Sequence, residues 1–288
     1  MGCGDEGLTA GVGWSLMSTP VPPPWERDPL STHFSEAEHN TRASAVNFPE
    51  VYAVQQRAHT LLLRVADAFE HDTGSVHHLG VPRMLLIRSH STILAAMRLA
   101  MSGQAFEAQT VLRVGIEHAW YALHITRDPA PPARARVWWN RGDSPQATEA
   151  CRTEFTVRTV RTTHKALDRD TAAAMQRLYD DAIAFGGHPN QGGVALTLRL
   201  GERDEETVTI AVGFLHPVPA VIVSTIKAAV DVATGLAKVV SLIYPERFRI
   251  AGLDEEVNRL IRHSAEVFSR AAQALRRAMA DSARARPE

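Results

Sequence analysis

Residues 105–126 read AFEAQTVLRVGIEHAWYALHIT, and almost every direction around a helix drawn through them is apolar. A helix that is hydrophobic all round belongs inside a protein, so this segment predicts the middle of a helical core. Two of its charges, Arg113 and Glu117, stand one turn apart on one face. With arginine on the N-terminal side the pair has the less favourable order for supporting its own helix, worth only about 0.3 kcal/mol. Local helix support is therefore a poor reason for it. Tyr121 and His124 continue the same stripe.

Upstream, Ser102-Gly103 separates this helix from one that opens at Pro82 and runs to Met101. So short a link makes an antiparallel helical hairpin. If the chain pivots near Gly103, His90 comes level with Glu117, which predicts a buried cluster of His90, Arg113 and Glu117. Further back, Val51, Val54, Ala58, Leu61, Leu62, Val65, Ala68 and Phe69 recur at three- and four-residue steps and predict an amphipathic helix from Pro49 to His71. Downstream, a short helix is expected around Ala133–Trp139, another over about Gln146–Leu167 and another over Asp170–Phe185. Residues 194–200 (VALTLRL) and 207–212 (TVTIAV) alternate apolar and polar on either side of GERDEE, which predicts a β-hairpin at about 194–212. Pro217 and Pro219 then open a long helix to Tyr244, and a last helix runs from Asp254 to about Met279.

The expected architecture is mainly α, an up-and-down helical bundle with one small β-hairpin, forming a single domain over 48–280. Residues 1–47, with their early glycines, the run Pro22-Pro23-Pro24 and no apolar periodicity, predict a disordered arm. Residues 281–288 predict a frayed tail.

Composition narrows the function classes. The chain has 288 residues, with 31 Lys plus Arg against 32 Asp plus Glu, so no global field draws it to nucleic acid or an anionic membrane. Its 45% hydrophobic and 22% charged content excludes a wholly disordered, collagenous or fibrous chain. Cys3 and Cys151 have no neighbour at ligand spacing, so neither a disulfide framework nor a CxxC zinc site can be built, and a cytoplasmic setting is expected. The long apolar stretch 215–244 carries Lys227, Asp231 and Lys238, each costing about 3 kcal/mol at a bilayer centre. It reads as a core helix, with no membrane partner. Arginine outnumbers lysine 28 to 3, a bias that looks like a GC-rich bacterial genome.

The Arg113–Glu117 couple has two readings. It is either a buried ion pair that fixes helix register, or a site in which Arg113 keeps Glu117 ionised as base or ligand anchor and His90 carries protons. The loop GGHPNQGG, 186–193, offers glycines that let backbone amides approach a ligand, with His188 and Asn190 as polar tips. A helix C-cap turning into a strand explains the glycines equally well, but not His188. The catalytic candidates are His90, Arg113, Glu117, His118 and His188, and the ligand-binding candidates Arg113, Glu117, Tyr121, His124, His188 and Asn190.

No metal and no cofactor is expected. Glu36 and His39 are spaced as ExxH, but a di-iron bundle needs a second such pair. His71, Asp72, His77 and His78 could hold zinc or nickel, yet an exposed polar loop is the plainer account. Between Arg127 and Arg169 stand nine basic and five acidic residues together with Trp138 and Trp139. That stretch is either a patch for RNA or, more simply, a solvated helix face over two core tryptophans. No P-loop, GxSxG elbow or HExxH is present.

Leu112, Arg113 and Glu117 in VLRVGIEHAWYAL, followed by His188, Pro189 and Asn190 in FGGHPN, give the chain its one family likeness. It resembles bacterial helical proteins of unassigned activity that carry L-x-R-x-x-x-E on a central helix and G-x-HPN before a short hairpin. The resemblance covers roughly residues 50 to 245 and implies an all-helical fold. More distantly the layout is similar to HEPN domains, helical dimers of defence and toxin systems, some of which cut RNA with R-x(4-6)-H. Composition alone yields about four such Arg/His spacings, and five occur. Only Arg113/His118 has the tight spacing on the central helix, and those two residues lie about 140° apart around it. The function expected is a homodimeric interaction or ligand-sensing module with a small-molecule or RNA ligand, the alternative being a metal-independent HEPN-like ribonuclease.

Overall fold

Two long apolar helices hold the centre of the computed structural model, which describes residues 28–70, 80–187, 198–203, 208–216 and 218–284. The chain is mainly α. Its helices are α1 Pro29–Asn47, α2 Pro49–Glu70, α3 Val81–Ser102, α4 Ala105–Thr126, α5 Ala133–Trp139, α6 Pro145–Glu154, α7 Val157–Leu167, α8 Arg169–Ala182, α9 Pro219–Ile243, α10 Pro245–Ile250 and α11 Leu253–Arg284. Backbone pairing also joins Leu198–Arg203 to Val208–Val212 in antiparallel sense, with Leu198 opposite Val212 and a register shift between Leu200 and Arg203.

The α3–α4 hairpin turns where the sequence breaks. Gly103 takes φ +93°, and the N–H groups of Gly103 and Gln104 close back on the carbonyls of Ala100 and Leu99 at 3.1 and 2.8 Å. This left-handed cap is cheap only for glycine. Ser89 Oγ then donates to the carbonyl of Gly115 across the hairpin at 2.8 Å, a bond that needs closely approaching helices. α9 packs on α2, α3, α4, α8 and α11. It is long and apolar enough to cross a bilayer, but most of it is buried inside the bundle.

Two expectations need correction. Disorder was expected through residue 47, yet the chain is helical from Pro29. The described residues divide between Glu36 and Ala37 into two compact units. Within the first unit, Asp28 caps α1 by accepting from the N–H groups of Leu30 and Ser31 at 2.9 and 3.0 Å, with Pro29 at the first helical position. Within the second, buried Ser44 donates to the Met101 carbonyl at 2.9 Å and Asn40 to the Ser102 carbonyl at 3.2 Å. These anchors are polar, so hydrophobic periodicity does not reveal them.

The helix expected over Gln146–Leu167 is two. α6 ends at Glu154, Phe155 is buried, and Thr156 starts α7 by accepting from the Thr159 N–H at 3.1 Å. The break frees α7 to lie against both α4 and α8.

Candidate functional site

α4 presents its charged couple to α8. Arg113 Nε donates to Glu117 Oε1 at 3.0 Å, and the Tyr179 hydroxyl donates to the same oxygen at 2.9 Å. The guanidinium carbon lies 5.6 Å from the centre of the Tyr179 ring, within cation–π range. Burial, reinforced by the Glu117 charge, pushes the Tyr179 phenol up to about 12, so it stays a proton donor at neutral pH. The side chains of Arg113 and Glu117 remain 29% and 25% exposed. The couple is thus half-buried rather than enclosed by the core, and its two charges are paired with each other.

The other candidates disperse. His90 faces α2, where its Nε2 lies 3.0 Å from His59 Nδ1. The expected cluster of His90, Arg113 and Glu117 does not form, because His90 finds its partner on α2 instead of α4. His118 lies within the field of Arg88 on α3, and its Nδ1 is buried with no hydrogen-bond partner. Burial and then Arg88 hold this imidazole below its usual value, while Glu117 pulls the other way. Arg113 thus engages α8 whereas His118 senses α3, as their angular separation on α4 requires. The Tyr121 hydroxyl donates to the Phe155 carbonyl at 3.1 Å.

His124, 1% exposed, sits between Thr163 Oγ1 at 2.7 Å and Glu154 Oε1 at 3.0 Å. Arg134 binds the same Glu154 oxygen at 2.7 Å and the His124 carbonyl at 3.0 Å. A hydroxyl, an imidazole and a carboxylate in line can move a proton, but here they clasp α5, α6 and α7 onto α4. Neither cavity described below is lined by Thr163 or His124.

His188 and Asn190 lie outside the described residues. The root of their loop is described: Ile183–Gly187 forms a wide π-type turn, and the Gly186 carbonyl accepts from Thr110 Oγ1 at 2.6 Å. A Cβ on Gly186 would stand 2.5 Å from the Phe106 carbonyl oxygen. At this position glycine serves close packing on α4, not approach to a ligand.

The basic stretch Arg127–Arg169, expected to be a patch for RNA or a solvated helix face, supplies one wall of a groove between α7 and α8. A cavity of about 480 Å³ is lined by Arg158, Arg161, Thr162, Lys165, Arg169 and Gln176, with Ala172 and Ala173 as its apolar floor. Its lining holds four cations and no carboxylate, and none of the four makes an ion pair among the described residues. The nearby Asp168 is spent capping α8, where it accepts from the N–H groups of Asp170 and Thr171 and the Thr171 hydroxyl. Gln176 gives its amide N–H to Asp180, leaving its Oε1 buried without a partner. Arg158, Arg161 and Lys165 fall at helical spacing, which was the available signal, but the partner wall on α8 could not be read from it. Trp139, expected in the core, is 49% exposed, and Trp138 packs only partly against the core.

The groove is braced from below. Trp120 Nε1 donates to His164 Nδ1 at 3.1 Å, joining α4 to α7 inside the core. Burial pushes His164 down to about 4, so the ring is neutral and its Nε2 is buried without a partner. A second cavity of about 470 Å³ lies between α8, α9 and α11, lined among others by Arg177, Asp231, Lys238 and Ser264.

No group of three or more His, Cys, Asp or Glu suited to a metal occurs among the described residues. No family model, no curated protein and no solved structure matches the chain.

Proposed function

We propose that the chain is a ligand-binding helical module whose α7–α8 groove takes a phosphate-bearing small molecule of nucleotide size. One observation carries the reading: Arg158, Arg161, Lys165 and Arg169 converge on one cavity whose lining, among the described residues, holds no carboxylate. Like charges gathered without partners repel, and an anion relieves that repulsion. Guanidinium forks match phosphate oxygens in pairs, while the lysine adds a point charge. The cavity falls in the usual size range for small-ligand sites, about 300–1,000 Å³. The up-and-down bundle with its appended hairpin would serve as a rigid frame for the groove, and a cytoplasmic homodimer is the setting proposed for it.

The test is titration of the full chain with ATP, inorganic phosphate and a short single-stranded RNA, followed by calorimetry and thermal melting. Saturable ATP binding that raises the melting temperature, and its loss in Arg161→Glu with Lys165→Glu, is the expected result. No binding of any probe at millimolar concentration, or ATP affinity unchanged in the double variant, overturns the proposal. Metal-independent RNA cleavage abolished by His118→Ala would put the ribonuclease reading in its place.

A further inference from the structure

The contact between His59 and His90 bridges α2 and α3. The two rings are tilted by 50° with centroids 5.2 Å apart, and the facing nitrogens, His59 Nδ1 and His90 Nε2, are separated by 3.0 Å. Both side chains are half-buried. As a hydrogen bond the arrangement requires one ring to present N–H and the other a lone pair, so at most one of the two rings can be protonated at that edge. Two cationic imidazoles would repel across this gap.

We infer that His59 and His90 form a two-imidazole site for a divalent first-row transition cation, with Cu²⁺ and Zn²⁺ the best matched. The geometry is close to what such an ion needs. Zinc–imidazole bonds of about 2.0–2.1 Å meeting at a tetrahedral angle place the two nitrogens about 3.3 Å apart. A separation of 3.0 Å therefore has to open by only about 0.3 Å, with both rings turning so that their lone pairs converge on an ion beside the N–N line. The ligand atoms come from the middle of two packed helices, which fixes their spacing better than a loop would. Imidazole suits copper, zinc and nickel, while magnesium prefers oxygen ligands. No third His, Cys, Asp or Glu joins the pair among the described residues, which leaves the remaining coordination positions to water or to an added ligand.

The experiment is calorimetric titration of the full-length protein with CuCl₂, ZnCl₂ and MgCl₂, together with electron paramagnetic resonance of the Cu²⁺ form. One equivalent of Cu²⁺ with hyperfine structure from two nitrogens, weaker Zn²⁺ and no Mg²⁺ is the expected pattern. Each of His59→Gln and His90→Gln should weaken Cu²⁺ at least about 10-fold, with circular dichroism confirming an unchanged fold. Affinity that survives in the His59→Gln/His90→Gln double variant would place the metal elsewhere in the chain and overturn the inference. Failure of the parent protein to bind Cu²⁺ or Zn²⁺ would do the same. Neither result bears on the groove at α7–α8.

Discussion

α8 separates two kinds of charge. On its side facing α4, Arg113, Glu117 and Tyr179 satisfy one another through two hydrogen bonds and a ring contact. On its side facing α7, four cations share a cavity and none has an acidic partner among the described residues. The first arrangement is internally paired, and a ligand that took Glu117 Oε1 would have to break bonds to enter it. The second is incomplete, and folding has left its repulsion standing. The difference teaches that a charged couple on an apolar helix is conspicuous in a sequence because it looks unexplained, whereas the chain itself supplies its explanation.

Breaking the open side should have the largest effect. Reversing Arg161 and Lys165 to Glu removes two charged contacts worth about 1.5–3 kcal/mol each, so phosphate-ligand affinity should fall more than about 100-fold. Binding isotherms measure this, and the logarithm of the parent's affinity should decline steeply with the logarithm of salt concentration.

Next is the brace beneath the groove. His164 is neutral when folded, with its value pushed down to about 4 from 6.5. Between those values the unfolded chain binds more protons, so stability rises with pH through that window. The stabilisation is complete above 6.5 and lost as the pH falls towards 4, up to about 3 kcal/mol. Urea unfolding at pH 7 and at pH 4.5 should show the loss, and His164→Gln should flatten it by about one proton. An unaltered slope in that variant would mean that His164 is not neutral in the folded chain.

The closed side should respond least. Tyr179→Phe removes one hydrogen bond and should cost about 1 kcal/mol, with no change in phosphate affinity. Replacing the couple outright, by Arg113→Met with Glu117→Leu, should leave stability within about 1 kcal/mol, because desolvation already offsets most of the pair's attraction. A large loss of ligand affinity in either variant would erase the distinction between the two sides.

The sequence made the core helices legible because α4 and α9 are apolar on almost every face and Gly103 punctuates the hairpin. It made the pairing of Arg113 with Glu117 legible because both lie on one helix. What it hid depends on the relation between helices. The partner of His90 is set by how α2 meets α3, and the hairpin at Gly103 brings α3 and α4 together without deciding which face of α3 His90 occupies. The groove was obscured by the junction at Phe155–Thr156, since one continuous helix over Gln146–Leu167 would not bring Arg158, Arg161 and Lys165 against Arg169 and Gln176. α1 escaped because Asp28-Pro29 is a two-residue start signal and Ser44 and Asn40 hold the helix by hydrogen bonds instead of grease.

Trp120 hands its indole N–H to the very helix that carries two of the groove's three arginines. A wholly sheltered indole emits at shorter wavelength than a wet one, and Trp139, half in water, provides the contrast within the same chain. Any tilt of α7 that stretches the indole–imidazole link must alter the blue component of the fluorescence, so the protein carries its own strain gauge under the floor of the site it would report on.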